Sequence, residues 1–163
     1  MDDASHTPEP RAVARVKAAL AGKGLAADVR TMPASTRTAE EAAAACGCDV
    51  GQIVKSLVFR GASSGQPVLL LVSGCNRVDT ARVAASTGEA LTRPDATYVR
   101  DVTGFAIGGI PPLGHDTPLK TYMDTDLLQY AQVWAAAGTP NAVMGLDPKA
   151  LCQAAGATLI AVA

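Results

Sequence analysis

Apolar positions along the chain change spacing repeatedly, and each change marks an element. Val13, Val16 and Leu20 recur at helical spacing with Lys17 among them. The pattern predicts a helix opening near Pro10, a residue suited to a first turn, and ending at Gly22 and Gly24. Residues 27–32 alternate as a strand does, and Pro33 closes it. Thr38, followed three positions later by Glu41, forms a capping box for a helix that stops at Gly47. Residues 49–53 predict one short helical turn. Residues 55–60 and 67–73 read as two strands around a polar turn at 61–66, hence a hairpin.

The second half is more broken. Residues 78–86 and 95–101 predict short helices, the first with Asp79 near its start and the second after Pro94. Strands follow at 119–123, 132–136 and 141–145, with a short helix at 126–130 and a turn at 138–141. Asp147-Pro148 is a helix start, an N-cap with proline behind it, and that helix ends at Gly156. Residues 158–162 form the last strand. Helices and hairpin-linked strands mix irregularly, which argues for an α+β domain with a mixed, mostly antiparallel sheet and against a doubly wound one. The predicted organisation is one domain over residues 10–163, preceded by a polar segment at 1–9 expected to be disordered.

Composition narrows the function classes. Of 163 residues, 48% are hydrophobic, 18% charged and only 4% aromatic, so a core built of Ala, Val, Leu and Ile is expected. The formal net charge of −1 disfavours a long phosphate-gripping surface; a nucleic-acid partner would be touched at its tip. Cys46, Cys48, Cys75 and Cys152 show one lone C-x-C and no second metal-type pair, the pattern of reduced thiols. With an acidic, polar opening and no apolar run near membrane-spanning length, a soluble cytoplasmic protein is expected.

Two features carry candidate chemistry. Residues 104–114 hold four glycines and two prolines. Gly108, Gly109 and Ile110 keep backbone N–H groups, while Pro111 and Pro112 stiffen the segment without donating. Such a loop can aim donors at an oxyanion or a phosphate, or it can be a tight surface turn. Lys55 stands in a strongly apolar strand, where a lysine either points outward or works in a pocket. His6 and His115 are the only histidines; a Ser-His-Asp triad would need His115, and no Gly-x-Ser-x-Gly elbow supplies its serine. No two histidines stand at metal spacing, so neither a catalytic zinc nor any other cofactor is expected.

Thr38-Ala39-Glu40-Glu41-Ala42-Ala43, then Val54-Lys55-Ser56-Leu57-Val58-Phe59, then the run from Gly104 to Gly114, together resemble the YbaK/prolyl-tRNA-synthetase editing-domain family in order and spacing. The hairpin after Lys55, the Ala137-Gly138-Thr139-Pro140 turn and the Asp147-Pro148 helix fit the same pattern. The resemblance covers about residues 10–163. It implies a mixed sheet, partly curled into a barrel, with helices around it. It also implies a free-standing, trans-editing aminoacyl-tRNA deacylase that hydrolyses the ester of a mischarged amino acid at the acceptor end of a tRNA, with tRNA(Pro) the leading candidate. A synthetase or an elongation factor would be a further partner.

By the same resemblance Lys55 is the key active-site residue, acting with the amides of Gly108, Gly109 and Ile110. Thr36, Pro111, Ala137, Gly138 and Thr139 fall on the substrate-binding side. Some cysteinyl-tRNA-hydrolysing members carry Ser-Gly-Gly where this chain has Ala137-Gly138-Thr139, so a small aliphatic or hydroxylated amino acid is an equal candidate. The alternative reading is a tRNA- or synthetase-binding module of the same fold without catalysis. The chemistry expected of an enzyme is water attack on an already activated ester, with no enzymic nucleophile. The loop is expected at the surface.

Overall fold

A computed structural model describes residues 9–163. The expected disorder of residues 1–9 therefore falls almost wholly outside the described residues. Strand β3 (Pro67–Ser73) explains the architecture. Its run of apolar residues does not alternate because both of its faces are covered. Leu69 and Leu71 enter one cluster, and Val68, Leu70 and Val72 enter another. It forms the predicted hairpin with β2 (Ile53–Gly61), antiparallel, with Lys55 opposite Val72. Truncating Leu70 or Met123, which have no exposed surface, is expected to cost about 2–5 kcal/mol.

The other strands are β1 (Asp28–Thr31), β4 (Leu91–Thr92), β5 (Lys120–Asp124), β6 (Val133–Ala136), β7 (Ala142–Leu146) and β8 (Thr158–Ile160). The sheet runs β1-β7-β6-β2-β3-β5-β8, with β4 paired to the far end of β2. Four of the seven pairings are antiparallel; β2–β6, β3–β5 and β5–β8 are parallel. The sheet is thus mixed, as the pattern predicts. Its path is open, ending at β1 and β8, so any curl stops short of barrel closure. The two-residue β4 was not foreseen, since a strand that short leaves no periodicity to read.

Among the described residues, five helices cover the sheet: α1 (Arg11–Gly22), α2 (Ala39–Cys46), α3 (Thr80–Thr87), α4 (Ala96–Thr103) and α5 (Pro148–Ala154). Their starts follow the local chemistry. Thr38 and Glu41 make the reciprocal capping box, and Asp79, Asp95 and Asp147 each accept a backbone N–H of the helix they open. Residues 50–52 and 125–129 form 3-10 turns where short helical turns were predicted.

On one face, α1 (Val13, Val16, Leu20), α4 (Val99) and α5 (Leu151) pack with Val54, Val58, Phe105, Ile110 and Leu113. On the other face there are two separate clusters. Ala42 and Ala43 of α2 meet Ile53, Trp134 and Val143; Val83 of α3 meets Phe59, Leu70, Val72 and Tyr122. Odd-numbered residues of β2 point to this second face, Ile53 into the α2 cluster and Leu57 and Phe59 into the α3 cluster. Lys55 lies between them and leaves the sheet in the seam. Among the described residues, no helix is long and apolar enough to cross a membrane.

Candidate functional site

β6 leaves β2 after the Val54–Ala135 pair, and β4 joins that edge only at Arg60. In the gap opens a cavity of about 290 Å³ lined by Lys55, Ser56 and Leu57 of β2, by Thr36 and Arg37, and by Ile107, Gly108 and Ile110 of the glycine loop. The two features singled out in the sequence, more than fifty residues apart, thus meet in one recess. Most of the lining is apolar, and Lys55 is its only lysine.

Lys55 is half-buried and donates from Nζ to the backbone carbonyl of Asn76 at 2.6 Å. Among the described residues it has no salt-bridge partner. Burial pushes its pKa below the ordinary lysine value; Glu40, Cys75 and Asp124 oppose that shift, and Arg77 adds to it. An ammonium has three donors, so two remain for a substrate. The buried Ser56 hydroxyl has no hydrogen-bond partner among the described residues. A buried hydroxyl without a partner is costly, and a bound ligand would relieve it.

The loop reaches the surface only in its first half, where Ala106 and Ile107 are exposed. Gly109, Ile110, Pro111, Pro112 and Leu113 are all buried, which corrects the expectation of a surface loop for its second half. The reason is packing on both sides: Ile110 and Leu113 enter the core, and Arg15 of α1 clasps the loop's base. That guanidinium donates to the Gly104 carbonyl (3.0 Å), pairs with Asp116 (2.5 Å) and lies 4.4 Å from the Phe105 ring centroid.

The geometry also sorts the three expected donors. Gly109 N–H already bonds the Ala106 carbonyl at 3.1 Å, closing a turn, so it is not free for a substrate. Gly108 and Ile110 have no backbone acceptor among the described residues outside the strands and helices. Of the three amides, those of Gly108 and Ile110 are thus the ones left without a backbone partner. Gly109 matters instead because nothing larger fits: a Cβ there would lie 2.8 Å from Gly138 C and O and from Thr139 Cα. Gly138 N–H in turn bonds the Gly109 carbonyl at 3.0 Å.

The remaining expected substrate contacts divide in the same way. Thr36 lines the cavity, but its hydroxyl and N–H both donate to the Pro140 carbonyl, at 3.0 and 2.7 Å, bolting this segment to the 138–141 turn. Ala137, Gly138, Thr139 and Pro111 do not line the recess. Ala137 is fully buried, and Gly138 is pressed against α1, where a Cβ would sit 2.7 Å from the Ala12 carbonyl oxygen. They support the loop from behind. Sequence reasoning missed Arg37, Ser56, Ile107 and Ala136 as lining residues. Ser56 and Ile107 lie within the two segments singled out, and Arg37 is a cation in the run leading to the capping box; Ala136 offered no signal.

His115 is a brace. Its Nε2 donates to the Pro111 carbonyl at 2.7 Å, which places the ring proton on Nε2, and the ring stands edge-on to Phe105. Burial holds its pKa below the usual histidine value; Arg15 lowers it further, while the Pro111 bond and Asp116 oppose the shift. In the unfolded chain the imidazole gains its proton at higher pH, so between the two pKa values the unfolded state binds more protons. Its contribution is fully present above the unfolded pKa and is lost as pH falls toward the folded one. His115→Ala is expected to flatten the acid side of a stability-versus-pH curve over that window. An unchanged slope in denaturant melts across the window would show that His115 is not the group responsible.

Among the described residues, no three His, Cys, Asp or Glu side chains are grouped to hold a metal ion. Burial, followed by Cys48, raises the Cys46 thiol pKa to about 11, which leaves it unreactive near neutral pH.

Comparison with known proteins follows the same lines. The family described as "Aminoacyl-tRNA editing domain" matches residues 33–154. A solved structure, "Crystal structure of a putative trans-editing enzyme for prolyl tRNA synthetase", superposes with a TM-score of 0.89 at 48% identity, over 95% of this chain and 98% of the other. "Uncharacterized protein YwhH" of Bacillus subtilis is 31% identical over 126 residues, 77% of this chain and 80% of its own. "Putative Cys-tRNA(Pro)/Cys-tRNA(Cys) deacylase EbsC" of Enterococcus faecalis is 28% identical over 117 residues, 70% of each chain.

Proposed function

Because this chain belongs to the aminoacyl-tRNA editing domain family, we propose that it is a trans-editing deacylase that hydrolyses the ester of a mischarged amino acid on tRNA, with tRNA(Pro) the leading substrate. The observation that carries the reading is the meeting of Lys55 with Gly108 and Ile110 around one small recess. Its volume of about 290 Å³ falls just under the range of roughly 300–1,000 Å³ typical of small-molecule sites, which suits an aminoacyl group and not a whole nucleotide.

In this reading the aminoacyl ester enters the gap between β2 and β6. The free N–H donors of Lys55 hold the terminal adenosine's phosphate or the ester region and orient a water molecule. The amides of Gly108 and Ile110 receive the carbonyl oxygen as it gains negative charge. One such donor is worth about 3 kcal/mol of the barrier. Water attacks the carbonyl carbon, the bond to the ribose oxygen breaks as that oxygen takes up a proton given up by the water, and free amino acid and uncharged tRNA leave. The ester is already activated, so the site needs no nucleophile of its own.

The relatives' names and the Ala137-Gly138-Thr139 sequence leave the amino acid open among small side chains. The test is a panel of tRNA(Pro) charged separately with Ala, Cys, Ser, Thr and Pro. Rapid release from one or more of the first four, with Pro-tRNA(Pro) spared, is the expected result. Tight tRNA binding with no release from any member would make the chain a non-catalytic module.

Charge gives a second check. With a net charge of −1, contact with the acceptor end alone is expected to give a shallow dependence of affinity on salt. A slope equivalent to roughly six or more phosphate contacts would reveal a basic groove and a larger footprint.

A further inference from the structure

Lys55 is held by a carbonyl, and the residue that owns the carbonyl is itself held from behind. We propose that Asp124 and Asn76 form a positioning pair that fixes the Lys55 ammonium in the cavity, a role resting on the reading of Lys55 given above. The side-chain amide of Asn76 donates both its protons, to Asp124 Oδ2 and to Asp126 Oδ2, each at 2.8 Å. Its backbone carbonyl then receives Lys55 Nζ.

Asp124 is 1% exposed, at the end of β5, and accepts two further N–H donors, from Ser73 (3.1 Å, on Oδ2) and Asp126 (2.9 Å, on Oδ1). Ser73 is bolted in turn, its hydroxyl donating to the Gly51 carbonyl at 2.6 Å. One buried carboxylate thus ties the end of β3, the turn that follows it and the end of β5, and the fixed turn presents a single oxygen to Lys55.

The arrangement has a chemical logic. A lysine stem is flexible, and a bound substrate gains from an ammonium already in place. A carboxylate would orient the group but also neutralise it. A backbone carbonyl orients it and leaves the charge for the substrate. The charged or titratable groups facing Lys55 are Glu40 on α2, Cys75 and Arg77 in the turn, and Asp124 on β5. Asp124 makes no hydrogen bond to it and acts through Asn76 and by its charge.

The test uses the full chain with isotope-labelled lysine, so that NMR reads the titration of Lys55 directly, assigned with Lys55→Arg. Asn76 sits in a partly exposed turn, so Asn76→Ala is expected to fold; Asp124→Asn, nearly isosteric, is the second variant. Both are expected to lower kcat about 10- to 100-fold with KM nearly unchanged, the scale of a misplaced group. Asn76→Ala should also move the Lys55 titration midpoint up toward that of a free lysine as the side chain relaxes into solvent, whereas Asp124→Asn also removes a charge that raises that midpoint and should move it less or downward.

A fall in kcat in Asn76→Ala with an unmoved Lys55 titration would mean that Asn76 acts by another route and would overturn the proposal. So would wild-type kcat in both variants. The NMR measurement stands apart from catalysis. If the wild-type protein deacylates nothing, the functional reading fails while the positioning of Lys55 is still decided by its titration curve.

Discussion

Lys55→Ala is expected to bring deacylation down to the uncatalysed level in a protein that remains folded. The lysine makes one hydrogen bond, to the Asn76 carbonyl, and among the described residues no ion pair. Its folded pKa lies below the ordinary 10.5, so at neutral pH the fold carries the cost of a partly desolvated charge. Removing the side chain relieves that cost and forfeits one hydrogen bond worth about 1 kcal/mol, and the melting temperature should barely move. The catalytic loss has no such offset, because the lining holds no other lysine.

Lys55→Arg keeps the charge but replaces a compact donor with a planar fork, and it too should lose most activity. In the wild type, if the ammonium is the working form, kcat/KM corrected for spontaneous hydrolysis should fall along an alkaline limb centred below 10.5. Wild-type turnover in folded Lys55→Ala would remove the residue from the mechanism.

How much of this was legible beforehand depends on the range over which each feature is specified. The capping box at Thr38 and the aspartates at 79, 95 and 147 act over three residues or fewer, and the elements they open appear where the pattern put them. The hairpin of β2 and β3 was read from its pattern, but that both faces of β3 are covered emerged only from the packing. The direction of Lys55 was undecidable from its neighbours, because it depends on two clusters formed by α2 and α3 on either side of it.

The glycine loop was recognisable as unusual, but which amides it spares was not. The turn back to Ala106 consumes the Gly109 N–H, and that bond is a property of conformation and not of composition. Ala137, Gly138 and Thr139 lie outside the cavity lining, with Gly138 and Thr139 against Gly109 of the loop, a placement no local pattern specifies. Asn76 and Asp124 gave no signal. An asparagine in a turn and an aspartate closing a strand are commonplace until the fold sets them against Lys55.

Gly109→Val should lower turnover about 100-fold or more, the scale of losing one oxyanion donor, although Gly109 itself donates nothing to the substrate. Its Cβ would meet only backbone, Gly138 C and O and Thr139 Cα at 2.8 Å, and that turn is pinned against α1 at Ala12. The loop must therefore yield, carrying the amides of Gly108 and Ile110 away from the carbonyl they serve. Because Gly109 is buried, the substitution also overpacks the core, at a cost of about 1–3 kcal/mol. Turnover must accordingly be compared well below the variant's melting temperature and per folded molecule. His115→Ala removes one bond to the Pro111 carbonyl and leaves Gly108 and Ile110 backed by Gly138 and Arg15, so it should keep most activity at neutral pH. The two variants measured side by side separate the mechanisms. If folded Gly109→Val turns over normally while His115→Ala is dead, the chemistry is acid–base catalysis by the imidazole, and water held by Lys55 against two backbone amides is the wrong account.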